Sequence, residues 1–471
     1  MSWAWFDRDA LPEPMTPALE WQFWTGNEIG RLARSYLGAG KLLPSAPRDT
    51  AALATETALA DQDEVLVFEA TFTAGAFVAR ADGMRRMADG WELIEVKAGK
   101  CADDGKIRLE YILDIAYTIF VARGAGVSIS RATLVQLNRA HTLGGEPLFA
   151  SADISMPAFA MADAFEAQAA AIEQGLLSDQ IPSPELIFAC RGCPHFEVRC
   201  VGRGVPDPIF HIPHLSKQSF EQLKSYKQIS RLPPGAKLTP AQRRHTSALR
   251  TGRPWVNQPG LDMLDELAWP VAYLDFEGMS PPQPWFAGMA PYEVIPFQYS
   301  IHIRLALSLP AGHVAYLADP ETDWRRELAT RLLRDLGDTG SIVVYSGYEK
   351  TQLKAMARMF PDLEHGIEAV IDRLFDLEPI FREGYIHADF HGRTSIKVVL
   401  PVLTGEHYDD LEIGDGLNAA AVFGLMRMGR TLVADHPRQR ENLSRYCELD
   451  TWAMLRLHEE LEHLRTGTTV A

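Results

Sequence analysis

Between Gln222 and Leu261 the chain carries no Asp or Glu, while Lys224, Lys227, Arg231, Lys237, Arg243, Arg244, Arg250 and Arg253 give that stretch a charge of +8. So one-sided a segment does not fit the mixed-charge surface of a sheet or helix, and the chain reads as two bodies on either side of it. Pro233-Pro234-Gly235 and Pro240 punctuate helices inside it. For a chain of 471 residues the expected division is a domain over 1–205, a basic connector over 206–268 and a second domain over 269–471. The connector reads equally as a solvated linker and as a strap that contacts phosphate.

Apolar residues at 46% and charged residues at 23% describe an ordinary globular chain and exclude a disordered or fibrous one. A net charge of −16 excludes binding to nucleic acid by overall charge and leaves only local patches for it. No apolar run approaches the ~18 to 20 residues of a membrane span, and MSWAWFDRDALPEP lacks the basic-then-apolar start of a secretory signal. The expectation is a cytoplasmic protein with no membrane partner.

Periodicity predicts α/β structure in both halves. The first offers a helix (EWQFWTGNEIGRLARSYL), strands (EVLVFEATF, AFVARADGMRR, WELIEVKA, SRATLVQLN), a helix (EYILDIAYTIFVARGAG) and another over about Asp163 to Leu176. The second offers the strands VAYLDFEG, PFQYSIHIRLAL and SIVVYSG, a helix over TDWRRELATRLLRDL, and a closing helix over about Arg438 to Leu464.

Two constellations carry chemistry. Glu95 and Lys97 share a strand face by period 2, and a hairpin through Met-Ala-Asp-Gly brings Asp82, thirteen residues earlier, beside Glu95. Two carboxylates can hold Mg²⁺ while the ammonium assists water and stabilises phosphate charge. In the second half Asp275 and Glu277 point the same way from an apolar strand, and Tyr446 and Asp450 share a helix face at i and i+4. With Glu349, after SIVVYSG, they can hold two Mg²⁺ or Mn²⁺ about 4 Å apart, Tyr446 orienting the water. Asp376 and Asp372 are second-rank acids. A third cluster, Cys190, Cys193 and Cys200, has the spacing C-x2-C-x6-C, which suits a metal. Lys397 and Ser395 read as phosphate contacts or, preferably, as solvated residues at a helix opening. His302, His387 and His391 read as structural rather than ligating, and Phe297-Gln298-Tyr299 as a wall for a substrate base.

The Asp82, Glu95, Lys97 pattern resembles the RecB-like (Cas4-like) branch of the PD-(D/E)XK nucleases. The resemblance implies a restriction-endonuclease-like domain in which those three are catalytic and Glu28, in GNEIGRLA, completes the metal site. Asp114 and Tyr117 approximate the family's later helical pair. It also implies a [4Fe–4S] cluster at Cys190, Cys193 and Cys200, with Cys101 or His195 as substitutes for the fourth ligand and a Cys3His zinc site as the other form. The D-x-E and Y-x3-D pair resembles the DEDD exonucleases of the RNase H-like superfamily, with Ser346 where that family carries Asn. The segments LDFEGMSPPQPWFAGMAPYEVIPFQYSIHI, FREGYIHADFHGRTSIKVVLPVL, YDDLEIGDG and YCELDTWAML resemble the DUF2779 family. Together these resemblances imply a metal-dependent nuclease of nucleic-acid ends, DNA in preference to RNA, in DNA processing, repair or defence. The alternative from a different class is a nucleic-acid-binding scaffold with one or both sites silent and the cysteines as a structural staple.

Overall fold

The computed structural model describes residues 14–180 and 183–467 and shows a mixed α/β protein; residues 1–13, read above for a secretory signal, lie outside the described part. Two units hold the described residues: Met1–Pro182 with Ser280–Glu293, and Ser183–Met279 with Val294–Ala471. The cysteine-bearing segment after Pro182 thus belongs to the second unit, and an insertion between two strands of the second unit belongs to the first. Among the described residues no helix is long and apolar enough to cross a membrane.

In the first unit α1 (Pro17–Leu37) starts where Thr16 accepts from the Leu19 N–H and Pro17 fills a position whose N–H would go unpaired. Then follow β1 (Lys41–Leu42), α2 (Arg48–Ala60), β2 (Leu66–Ala74), β3 (Phe77–Met87), β4 (Gly90–Lys100), α3 (Leu109–Gly124), β5 (Ile129–Leu137), β6 (Phe149–Asp153) and α4 (Ser155–Leu177). The six strands lie in sequence order, with β4 and β5 parallel and joined through α3. Alternation along the strands gives the sheet two apolar faces. Leu66, Phe68, Ile94 and Val135 pack with Ile29 and Ala33 of α1, whereas Val67, Leu93 and Leu134 pack with Ile115 and Ile119 of α3.

In the second unit the basic stretch folds rather than running as bare linker. Apolar residues interleaved among its bases, Phe220, Leu223, Ile229 and Leu232, close a small core with Phe196 and Phe210, and Phe210 stacks on Phe220 at 5.2 Å. Helix α5 (Pro240–Thr251) opens on a capping box between Thr239 and Gln242 and ends at Gly252 in the left-handed region, leaving Arg243 and Arg250 exposed. Beyond it a five-stranded sheet is built from β7 (Val271–Met279), β8 (Ile295–Arg304), β9 (Gly312–Leu317), β10 (Ser341–Val344) and β11 (Leu374–Asp376), in the order β9-β8-β7-β10-β11. Strands β7, β10 and β11 run parallel, and β8 and β9 are antiparallel neighbours. The helices that bear on the site are α6 (Arg325–Leu336), α7 (Tyr348–Met359), α8 (Glu364–Ile371), α9 (Ile396–Thr404), α10 (Gly416–Arg427) and α11 (His436–Thr466).

Gly340, in the turn before β10, has φ 82, and a Cβ there would lie 1.8 Å from the carbonyl oxygen of Pro270. Because that oxygen belongs to the backbone, nothing cheap can move. Gly340→Ala is expected to destabilise the second unit by about 3 kcal/mol or more, read as a lowered urea midpoint. An unchanged midpoint would show that the turn yields.

Candidate active sites

Strand β7 is buried on both faces, and period 2 sends Tyr273, Asp275 and Glu277 to one of them, opposite His302, Ser300 and Gln298 of β8 in register. That face lies under α11, whose Tyr446, Cys447, Asp450 and Thr451 are buried. One carboxylate oxygen from each of Asp275, Glu277 and Asp450 falls within 4.8 Å of the others. Glu349 arrives from the first turn of α7, just past β10, and its buried Oε2 has no hydrogen-bond partner. Asp376 closes β11 near enough to act on Glu349, whereas Asp372 follows the last turn of α8.

Burial dominates the electrostatics. It holds the Asp275 and Glu277 carboxyls well above the ordinary carboxylate range, with Asp450 adding like-charge repulsion to both. Burial also raises Asp450 and pushes Glu349 up to about 7, Asp376 and Asp450 adding to the latter. Four buried acids cannot all ionise here without a counter-charge. Hard oxygen donors grouped this closely, with one buried oxygen unspent, fit Mg²⁺ or Mn²⁺.

Two further residues complete the arrangement. Lys397, read above as solvated, donates from Nζ to the Tyr446 hydroxyl at 2.8 Å and to the Gly414 carbonyl at 2.9 Å. Its charge acts on both Glu277 and Asp450. Tyr408 donates to Asp450 Oδ1 at 2.6 Å, and Tyr446 hydrogen-bonds to the same carboxylate. Burial, then Asp450 and Glu277, raise the Tyr446 hydroxyl above its ordinary range, so it stays protonated. The Cys447 sulfur sits 3.6 Å from Asp275 Oδ2. A lysine in TSIKVVLP carries no periodic signal that it turns inward, and Tyr408 carries none at all.

Other expectations are corrected by burial. Phe297, Gln298 and Tyr299 are no substrate wall: their exposures are 0%, 1% and 0%. Phe297 stacks on Phe423, Gln298 donates to the Leu443 carbonyl and Tyr299 donates to Asp335. His387 Nδ1 accepts from the Asp389 N–H, and the His391 ring lies 4.5 Å from that of His211, tilted by 46°. His302, by contrast, joins a group with His313 and Glu448, and burial, aided by His313, holds its imidazole down to about 4.

In the first unit the expected hairpin is present, pairing Met87 with Gly90 and closing at Gly83 and Ile94. Asp82 and Glu95, the next residues along, sit where the two strands leave the ladder, and Asp82 Oδ2 accepts from the Val96 N–H at 2.6 Å instead. Opposite Asp82, Glu69 falls at a gap in the pairing of β2 with β3 and takes φ 62, with the register the same on either side of it. Burial pushes Asp82 up to about 6, and burial with repulsion from Asp82 pushes Glu95 up to about 8. Lys97 donates to Glu95 at 2.8 Å and also to Asp114. Asp82 lines an open cleft of about 480 Å³ with Glu69, Arg48 and Arg80. One oxygen of Glu95 is buried without a partner, which suits a cation, although these acids do not form a three-donor group as close as that on β7. Glu28 gives both its oxygens to Arg31. Tyr117 donates to the Val78 carbonyl.

The cysteines are all free thiols. Burial raises the Cys190 thiol, Cys193 and Cys200 adding to the effect, so the three are electrostatic neighbours in the second unit. Their sulfurs do not gather within 4.8 Å of one another among the described residues, whereas sulfurs on one zinc ion stand about 3.8 Å apart. His195 Nδ1 accepts from Arg199, and Cys101, in the first unit, accepts from the Arg139 N–H. Among the described residues, no group of three close ligand atoms includes these thiols, His195 or Cys101.

No curated protein and no solved structure matches the chain. Residues 272–395 match the family described as domain of unknown function (DUF2779), a stretch that holds Asp275, Glu277 and Glu349 and all of the five-stranded sheet but Val271.

Proposed function

We propose that the second unit is a divalent-metal-dependent phosphodiesterase acting on nucleic acid, with Asp275, Glu277, Glu349 and Asp450 as the metal-holding acids. The carrying observation is the closeness of three buried carboxylates whose charge nothing on the protein neutralises in full. A bound Mg²⁺ or Mn²⁺ pair would supply a nucleophilic water at neutral pH and neutralise phosphate charge. The protein's own residues do the rest. Tyr408 and Tyr446 fix the Asp450 carboxylate, and Cys447 flanks Asp275. Lys397, held by the Tyr446 hydroxyl and the Gly414 carbonyl, offers a third donor to a non-bridging phosphate oxygen. In-line attack forms a new P–O bond, the opposite P–O bond breaks, and a phosphomonoester and a hydroxyl leave. A DEDD-type, RNase H-like assignment agrees with a D-x-E strand, an acid after the next parallel strand and a Y-x3-D helix.

The Asp82, Glu95 and Lys97 set is proposed as a second hydrolytic centre of the PD-(D/E)XK kind, supported by its ladder-end position and the cleft beside it. DNA ends are the proposed substrate of both.

Mixing the full chain with end-labelled single-stranded DNA and matched RNA in Mn²⁺, Mg²⁺ or EDTA tests this. Metal-dependent shortening of the label supports hydrolysis; binding in EDTA with no cleavage in either metal would sink it and favour the scaffold. Lys397→Ala is expected to slow cleavage ~10- to 100-fold with little change in KM, because the ammonium meets charge that grows toward the transition state. An equal rise in KM with kcat intact would instead place it in ground-state binding.

A further inference from the structure

We propose that His302, His313 and Glu448 form a separate zinc-class cation site at the edge of the second unit's sheet. His302 on β8 and His313 on β9 are register partners across the antiparallel ladder, with rings 4.5 Å apart. Glu448 projects from α11, and one ligand atom from each of the three lies within 4.8 Å of the others. Two imidazoles and a carboxylate are a donor set that zinc takes while keeping a position for water. Its donors then stand about 3.4 Å apart, and movement of the exposed Glu448 side chain toward the braced imidazoles closes that difference.

Polar contacts brace both rings. His302 Nδ1 lies 2.8 Å from Thr451 Oγ1, His313 Nε2 lies 2.9 Å from Ser300 Oγ, and the two hydroxyls are 2.9 Å apart. That leaves His302 Nε2 and His313 Nδ1 on the side away from the hydroxyl pair, and His313 Nδ1 faces Glu448 Oε1 across 3.8 Å, a gap that a shared cation would bridge. Hydroxyls at the far nitrogen of each ring are the usual support of a ligating histidine.

Such an ion would tie the edge strand β9 to α11, the helix that carries Tyr446 and Asp450, and so steady the neighbouring acids without touching substrate. The inference stands whether or not those acids hydrolyse anything.

Zinc bound by the full chain in excess Mg²⁺, counted by equilibrium dialysis, tests it. Wild type is expected to hold one zinc equivalent that His313→Ala and Glu448→Gln lose or bind at least tenfold more weakly. Asp275→Asn and Cys193→Ser should keep it, which separates this site from the acids on β7 and from the thiols. Zinc should also raise the melting temperature of wild type but not that of His313→Ala. Wild type binding no zinc, or binding it with the same count and affinity as His313→Ala, would overturn the proposal. So would loss of the equivalent in Cys193→Ser alone.

Discussion

Asp450→Asn is expected to lower metal-dependent cleavage by on the order of 10³-fold while raising the melting temperature of the metal-free chain by roughly 2 to 4 °C. Both effects have one cause. Burial makes the Asp450, Asp275 and Glu277 charges costly, and their mutual repulsion adds to that cost until a cation arrives. An amide of the same shape keeps an oxygen for the Tyr408 hydroxyl and removes one buried charge. The hydrolytic site is thus stability held in reserve, and Mg²⁺ or Mn²⁺ should raise the melting temperature of wild type more than that of the variant. Calorimetry with and without metal, beside cleavage rates, checks the pair. A variant that melts lower in the absence of metal would show that the acids are a structural network.

The second large effect belongs to the first unit. Lys97→Met is expected to cost about 3 kcal/mol or more at pH 9 and clearly less at pH 6. The ammonium lies between Glu95 and Asp114; burial opposes its charge, but the two acids outweigh burial and leave it raised above the ordinary range. Removing it strands a buried carboxylate only when Glu95 is ionised. The folded Glu95 takes up its proton near pH 8, against an unfolded value near 4.5. Between those values the folded chain holds a proton that the unfolded chain releases, so this group's contribution to stability falls as pH rises through the window. Asp82, raised to about 6, acts in the same direction over a narrower range. Denaturant melts of both chains across pH 5 to 9 decide it, and a pH-independent difference would contradict it.

What the sequence made legible follows from local periodicity. The Asp82–Glu95 hairpin, β7 with its two same-face acids and the i, i+4 pair on α11 depend on spacing within one element or one turn. Lys397 was weighed as a phosphate contact but set in solvent, and Tyr408 was not legible, because what turns both inward is the packing of α9 and the loop beyond it against α11, a long-range event. The segment Phe297–Tyr299 was misread because an alternating strand does not say whether its second face is covered. Glu69 was visible as an acid inside the apolar run VFEATF, yet its place opposite Asp82 emerges only from the register of β2 with β3. The basic stretch was read by charge alone, and the apolar residues threaded through it fold it. His313 and Glu448 lie far apart in the chain and meet through strand pairing and helix docking.

Cleavage of end-labelled linear and circular single-stranded DNA in Mn²⁺, by wild type, Asp275→Asn, Lys97→Ala and the double variant, tests the central assignment most directly. The account predicts that Asp275→Asn removes most of the activity, that Lys97→Ala leaves the remainder attributable to the second unit, and that the double variant is inactive. Undiminished cleavage by Asp275→Asn would contradict it, since the carboxylates grouped on β7 and α11 would then not be where phosphodiester bonds break.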